Sequence, residues 1–283
     1  MKDVIQQKLQ TYNPQSEEEE ENAIKEITQE VALYGLEKAG FFKKAAFLGG
    51  TCLRVVHGLD RFSEDLDFVL KEKDFQFDLS EYLDEVVITM NQFGYGIEIE
   101  GEDKADANVK SRFIKDDSIK KLLKFEHKLD HRKKIQIKVE IDVNPPAGGN
   151  LEANYLNFPT PFMMITHDIP SLLAGKCHAL LCRKYVKGRD WFDYLWYICR
   201  DSIVNFEMLE SALNQLGPWE GEGVKVSKEW LHENLNERIK AINWEKASGD
   251  VDRFLNPVKQ EGLSLWSEDF FLKMTDRFIS NQL

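Results

Sequence analysis

Two carboxylates, Asp65 and Asp67, stand one residue apart at the head of an apolar run. In a strand, side chains alternate between faces, so both acids point one way while Leu66, Phe68 and Leu70 point the other. Adjacent carboxylates repel unless a cation sits between them. Oxygen ligands in such a pair suit Mg²⁺, which is usually held by one or two carboxylates together with substrate phosphates. Upstream, Gly49-Gly50-Thr51 follows the short apolar run Ala45 to Leu48. Glycines there let a phosphate approach the backbone closely. Their N–H groups, with the N-terminus of a following helix, favour an anion, and the Thr51 hydroxyl offers a further donor. A phosphate cradle beside a cation-binding carboxylate pair suits phosphoryl or nucleotidyl transfer. Alone, a Gly-Gly turn is an ordinary turn and an Asp-x-Asp is common on solvated edges; their order and short spacing make the combination informative.

The elements that must carry this pair read as strand, glycine turn, helix over Thr51 to His57 ending at Gly58, loop, and second strand. Before them, a short helix within residues 1–15 breaks at Asn13-Pro14. Ser16 with Glu19 forms a capping box for a helix that continues through Ile24, Ile27, Val31, Leu33 and Leu36 to about Gly40. The glutamates Glu17 to Glu21 suit its first turn, where the helix dipole favours them, and need no partner. Residues 79 to 93 predict another helix, followed by a strand from Tyr95. Residues 119 to 128 are ambiguous, with a strand favoured.

Ile135 to Val143 alternates cleanly, with Ile135, Ile137, Val139, Ile141 and Val143 on one face and Gln136, Lys138, Glu140 and Asp142 on the other. Pro145-Pro146 ends it. Gly148-Gly149-Asn150 and the region of Pro159 and Pro161 read as a linker, after which the chain becomes helix-rich. A helix starts at Asp168 or Pro170, with Lys176 set in an apolar run. A buried lysine needs an anion, either a phosphate or a carboxylate, unless it reaches water from the helix edge. Arg189-Asp190 opens the next helix, with Asp193 one turn on. One of its two acids suits the dipole at the helix start.

Gly49-Gly50-Thr51-x-Leu53-Arg54 followed by Arg61-x-Ser63-x-Asp65-Leu66-Asp67 resembles the nucleotidyltransferase-like toxins of the AbiEii/AbiGii type, within the DNA polymerase β-like superfamily. Lys176 and the segment Lys187-Gly-Arg-Asp-Trp-Phe-Asp-Tyr-Leu195 extend the likeness. The resemblance implies an α/β (α+β) fold: a small mixed sheet with helices, then a helical bundle, with nucleotide bound between. It implies catalytic roles for Asp65 and Asp67 with Lys176 and either Asp190 or Asp193. A third carboxylate would come from Glu140 or Asp142, which one strand register does not separate. Gly49, Gly50, Thr51, Ser63 and Arg189 would contact the nucleotide. One or two Mg²⁺ ions, held by Asp65, Asp67 and Glu140 or Asp142, would serve transfer of a nucleoside monophosphate from an NTP. The acceptor would be RNA, such as tRNA, or protein, and a cognate antitoxin is a further partner that the resemblance implies. The alternatives are a nucleotide-sensing protein without turnover and an ATP-dependent phosphotransferase. An intact Asp-x-Asp argues against a dead site.

Composition sets the frame. The chain has 283 residues, 42% hydrophobic and 30% charged, which suits a globular protein of one or two domains. The expected division is 1–160 and 161–283. No apolar run approaches the ~18 residues of a membrane span, and the N-terminus lacks a signal-peptide core, so a cytoplasmic protein is expected. Cys52, Cys177, Cys182 and Cys199 have no zinc spacing and read as small buried residues. The six histidines form no metal set, and His57 reads as a helix cap. The net charge of −12 argues against bulk nucleic-acid coating. Basic residues do concentrate between Lys104 and Lys138, as a groove wall for nucleotide or RNA or, as favoured, as lysines guarding a hairpin edge. The late tryptophans Trp219, Trp230, Trp244 and Trp266 read as core anchors.

Overall fold

The computed structural model describes residues 2–101, 108–127, 129–130 and 134–282. The chain folds into two compact units. The first comprises Met1–Gly58, Phe62–Pro145 and Glu152–Thr166; the second comprises Leu59–Arg61, Pro146–Leu151 and His167–Leu283.

The first unit opens with α1 (Lys2–Thr11) and α2 (Glu17–Lys38). Ser16 caps α2 by accepting from the Glu19 N–H at 3.2 Å, and the Glu19 carboxylate reaches back to the Gln15 N–H at 2.7 Å. Ile24, Ile27, Val31, Leu33 and Leu36 are all buried, as their near-3.6 period requires. The glutamate run does more than satisfy a dipole: the buried Glu20 carboxylate accepts from the N–H groups of Glu126 and His127, each at 2.8 Å.

Next come β1 (Ala45–Leu48), α3 (Gly49–His57), β2 (Leu66–Leu70), α4 (Ser80–Gln92), β3 (Ile97–Glu100), β4 (Val109–Asp116), α5 (Ile119–Leu122), β5 (Ile135–Asp142), β6 (Leu151–Leu156) and β7 (Phe162–His167). The strands form one mixed sheet in the order β3-β4-β5-β2-β1-β7-β6. β1 runs antiparallel to β2 and parallel to β7, and β2 runs parallel to β5. One face of the central strands carries Phe47, Phe68, Val139 and Ile141, all buried. Phe68 meets Phe41 edge-on at 4.9 Å and Phe47 at 5.2 Å. Burying each such side chain contributes about 1.5–3 kcal/mol. α2 lies against α4 so closely that a β-carbon at Gly35 would come within 2.9 Å of Val86 Cα.

Two expectations are corrected here. Residues 119–122 form the short helix α5 rather than part of a strand, because the Asp116 carboxylate accepts from the N–H groups of Ser118 and Ile119 and turns the chain. The region from 148 to 161 is not only linker, because it contains β6 and leads into β7. Only Leu156 of β6 is buried; Leu151, Ala153 and Tyr155 alternate with polar residues but are the exposed set, so the run lacks the buried apolar face of a core strand.

The second unit is helical: α6 (Ile169–Cys182), α7 (Gly188–Ile198), α8 (Phe206–Gln215), α9 (Lys228–Lys240), α10 (Trp244–Asp252), α11 (Pro257–Gln260) and α12 (Glu268–Ser280). Asp168 caps α6 by accepting from the Ser171 N–H at 2.9 Å, with Pro170 in the first turn. Trp191, Tyr194, Phe271, Phe278, Leu231 and Leu235 fill the core. Trp244 stacks on Phe271 at 3.9 Å, and Trp219 packs edge-on against Trp230 at 5.2 Å, so these tryptophans serve packing. Cys52 and Cys177 are buried; Cys182 is partly exposed and Cys199 is exposed, against expectation for the last. Among the described residues no helix is long and apolar enough to cross a membrane.

Candidate active site

β1 delivers the chain into Gly49, whose φ is +80°. A β-carbon there would lie 2.2 Å from Asp67 Oδ2 and 2.9 Å from Asp67 Cγ, so only glycine fits. The Asp67 carboxylate therefore rests directly against the turn that starts α3. The Thr51 side chain is buried, and its hydroxyl donates to the Asp65 carbonyl. That hydroxyl staples the loop before β2.

The loop from Phe62 to Asp65 is held at several points. Gln29 Nε2 donates to the Ser63 carbonyl at 3.1 Å. The Arg54 guanidinium lies 4.4 Å from the Phe62 ring centre, and its Nε donates to Glu26 at 2.7 Å. Tyr12 stacks on the same Phe62 ring at 6.3 Å and donates its hydroxyl to Glu26 at 2.7 Å.

Sheet register separates the two third-carboxylate candidates. Asp67 pairs with Glu140 on β5, whereas Asp142 pairs with Val69 two residues further along. Glu140 thus lies directly beside Asp67 and accepts from Lys138 Nζ at 2.6 Å. Burial pushes the Asp142 carboxyl up, partly offset by the Asn144 N–H that it accepts at 2.8 Å. Among the described residues no three His, Cys, Asp or Glu side chains gather as a ready metal cage. The donor set is nonetheless all oxygen: Asp67 on β2 and Glu140 and Asp142 on β5 lie on neighbouring strands, while Asp65, expected on the strand, immediately precedes it. The set fits a cation whose coordination is completed by substrate phosphates rather than by protein alone.

Near the same turn, burial drives the Cys52 thiol far up, with the Glu152 and Asp67 charges adding to it, so Cys52 is an inert core residue. Gly58, in the left-handed region, closes α3. His57 is not the cap: its Nε2 is buried without a partner among the described residues, and burial holds its pKa down against the Glu152 charge. The basic stretch does not form a bare wall. Lys115 pairs with Glu100, Lys120 with Glu21, Lys134 with Glu98 and Lys138 with Glu140. Lys110 donates to the Phe77 carbonyl at 2.6 Å. Lys104, Lys128, Arg132 and Lys133 lie outside the described residues.

In the second unit, Lys176 on α6 meets both acids of α7: Asp190 Oδ1 at 2.7 Å and Asp193 Oδ2 at 2.8 Å. Both acids lie on one helix face because they are three residues apart. Arg61 grips the buried Asp193 with both ends of its fork, Nε to Oδ1 at 2.6 Å and Nη2 to Oδ2 at 2.7 Å. Arg183 Nη1 meets Asp190 Oδ2 at 2.9 Å. Burial alone would lower the Lys176 pKa, but Asp190 and Asp193 outweigh it and hold the ammonium above its usual range. Burial would raise the Asp190 carboxyl, but Lys176 and Arg183 hold it below. Arg189 sits elsewhere on α7, its guanidinium 4.5 Å over the Phe254 ring. Sequence reasoning assigned no part to Arg61 or Arg183. Arg61 stood inside the quoted motif, but nothing in local spacing points to Asp193, 132 residues away.

MenT4, a nucleotidyltransferase toxin from Mycobacterium tuberculosis, has a similar fold: TM-score 0.52 at 14% identity, covering 100% of this chain and 99% of that one. JHP933 from Helicobacter pylori aligns with TM-score 0.48 at 17% identity over 88% of each chain. None of the curated proteins matches the chain. Residues 31–273 match the family described as nucleotidyl transferase AbiEii toxin, type IV toxin–antitoxin system, and that span holds the glycine turn, the paired carboxylates and the Lys176 cluster. The chain belongs to this family of nucleotidyltransferase toxins.

Proposed function

We propose that this nucleotidyltransferase moves a nucleoside monophosphate from an NTP to a hydroxyl of an RNA acceptor, with tRNA as the leading class, in a Mg²⁺-dependent reaction. The acceptor oxygen attacks the α-phosphorus, the bond to the bridging oxygen of the β-phosphate breaks, and pyrophosphate leaves. The observation that carries this reading is the contact of Gly49 with Asp67, with Glu140 in register beside Asp67. It puts a helix N-terminus, suited to phosphate, against carboxylates suited to a hard cation.

In this reading Gly49, Gly50 and the backbone of Thr51 receive the β and γ phosphates. Ser63 and Arg189 remain candidate nucleotide contacts. Asp65, Asp67 and Glu140 would hold one or two Mg²⁺ ions, with Asp142 the less favoured donor because burial opposes its charge. Bound there, the cation would offset phosphate charge and align the attacking and leaving oxygens. Lys176 contributes a further phosphate contact. Its ammonium donates to Asp190 Oδ1 and lies 2.8 Å from Asp193 Oδ2 as an ion pair, so the two acids do not exhaust its three hydrogens. Asp190 and Asp193 position that lysine. A cognate antitoxin is the partner that family membership supports.

The test is incubation with Mg²⁺, total RNA and each α-³²P-labelled NTP in turn, beside Asp67→Asn. Label carried to RNA by the wild type alone, with pyrophosphate released, supports the reading and names base and acceptor. Label on protein moves the acceptor class. A released diphosphate, or saturable NTP binding without transfer, overturns the proposed reaction.

A further inference from the structure

We propose that Arg61 is a positioning residue that divides the charge of Asp193 and so keeps Lys176 available to an anion. The inference rests on the phosphate-binding role given to Lys176 above, but its geometry stands independently. Asp193 Oδ2 is shared: Arg61 Nη2 lies 2.7 Å from it and Lys176 Nζ lies 2.8 Å from it. Asp190 is divided in the same manner, one oxygen on Lys176 at 2.7 Å and the other on Arg183 at 2.9 Å. Lys176 therefore faces two carboxylates, each already partly satisfied by an arginine.

A lysine enclosed by two carboxylates of its own would be neutralised by them. Its hydrogens would be drawn to them, and it would offer little to a phosphate. Arginine suits the sharing task because its planar fork engages both carboxylate oxygens at once and stays charged at any working pH. Burial sharpens the effect: the Arg61 and Asp193 side chains are 4% and 0% exposed, so solvent screens their interaction weakly. The Lys176 side chain is not fully enclosed, keeping 11% of its surface exposed. Arg61 accordingly lowers the Lys176 pKa while Asp190 and Asp193 raise it. Arg61 touches no reacting atom in this scheme; it acts through Asp193.

The experiment reads Lys176 directly. The full-length protein and its Arg61→Gln and Arg61→Lys variants are acylated with an amine-directed reagent across a pH series, without substrate, and Lys176 modification is quantified by mass spectrometry. Circular dichroism establishes which variants are folded. In Arg61→Gln the titration midpoint of Lys176 rises by about one unit, so its reactivity at fixed pH falls about tenfold. Arg61→Lys keeps the charge but loses the fork, and shifts the midpoint the same way by a smaller amount. In the transfer assay, KM for the NTP rises more than kcat falls, since the lost contact holds phosphate in both bound states. A folded variant of either kind with unchanged or increased Lys176 reactivity overturns the inference. Because reactivity is read without substrate, failure of the proposed transfer chemistry leaves this result separately interpretable.

Discussion

Gly49 and Asp67 are in contact: a β-carbon on Gly49 would stand 2.2 Å from the Asp67 carboxylate oxygen. The glycine turn and the second acid of the Asp-x-Asp are therefore one feature. Gly49→Ala must move the carboxylate and also place alanine at a φ of +80°. The strain costs about 1–3 kcal/mol. A fall in thermal midpoint with near-complete loss of transfer is expected, checked by calorimetry and the labelled-NTP assay. Gly58 supplies the control: its φ is also positive, but a β-carbon added there would meet nothing within 4 Å. Gly58→Ala should be destabilised and keep its activity.

The paired acids separate chemistry from folding. Asp65→Asn and Asp67→Asn should abolish turnover while circular dichroism and thermal midpoint stay near wild type, because neither side chain belongs to the apolar face of β2. Glu140→Gln should cost far more activity than Asp142→Asn, since register sets Glu140 and not Asp142 beside Asp67. Equal losses would dissolve the distinction. An active, folded Asp67→Asn would remove the two-carboxylate mechanism.

Lys176→Met tests the second cluster. Removing the ammonium leaves Asp190 and Asp193 with less compensation in a buried site, at a cost of about 3–5 kcal/mol. NTP use should weaken as well. Denaturant unfolding measures the first effect, and KM for NTP measures the second. Pairing Lys176→Met with Asp190→Asn should recover part of the stability but none of the activity: Asp190's other partner, Arg183, is 37% exposed and can turn to water, while the phosphate contact stays lost.

Glu30 predicts a pH effect within the first unit. Burial is the main cause that raises its pKa to about 7, against the charge of Lys8, which donates to Oε1 at 3.3 Å and lies 3.1 Å from Oε2 without hydrogen-bond geometry. The folded pKa lies above the unfolded value of 4.5, so the folded state holds the proton more tightly. Stability from this group is complete below pH 4.5 and is lost as pH rises through about 7. The loss is on the order of 3 kcal/mol. Glu30→Gln should flatten the stability profile between those limits in urea titrations at a series of pH values. A variant with the wild-type slope would place the titration on another group.

Local chemistry made much of this protein legible from its sequence. The Ser16 cap, the glycine turn and the alternation of Ile135 to Ile141 depend on neighbours within a few residues, where period and backbone sterics decide the outcome; Asp65, by contrast, falls just before β2, which begins at Leu66. Edge strand β6 was not read from the sequence: its short alternation over Leu151 to Tyr155 lies between glycine- and proline-rich segments, and its apolar residues face outward rather than into a core. The preference for Glu140 over Asp142 was not legible either. Both share a strand face, and only pairing with β2 aligns one of them with Asp67. The Thr51 hydroxyl reads as a phosphate donor in the sequence, whereas the fold turns it inward to the Asp65 carbonyl. Arg61 shows the limit most directly. It stands in the quoted motif without an assigned role, and the fold commits its fork to Asp193, 132 residues away. Sequence determines the local preferences of a residue; which distant charge satisfies a buried guanidinium is decided only when packing brings the two together and excludes water from both.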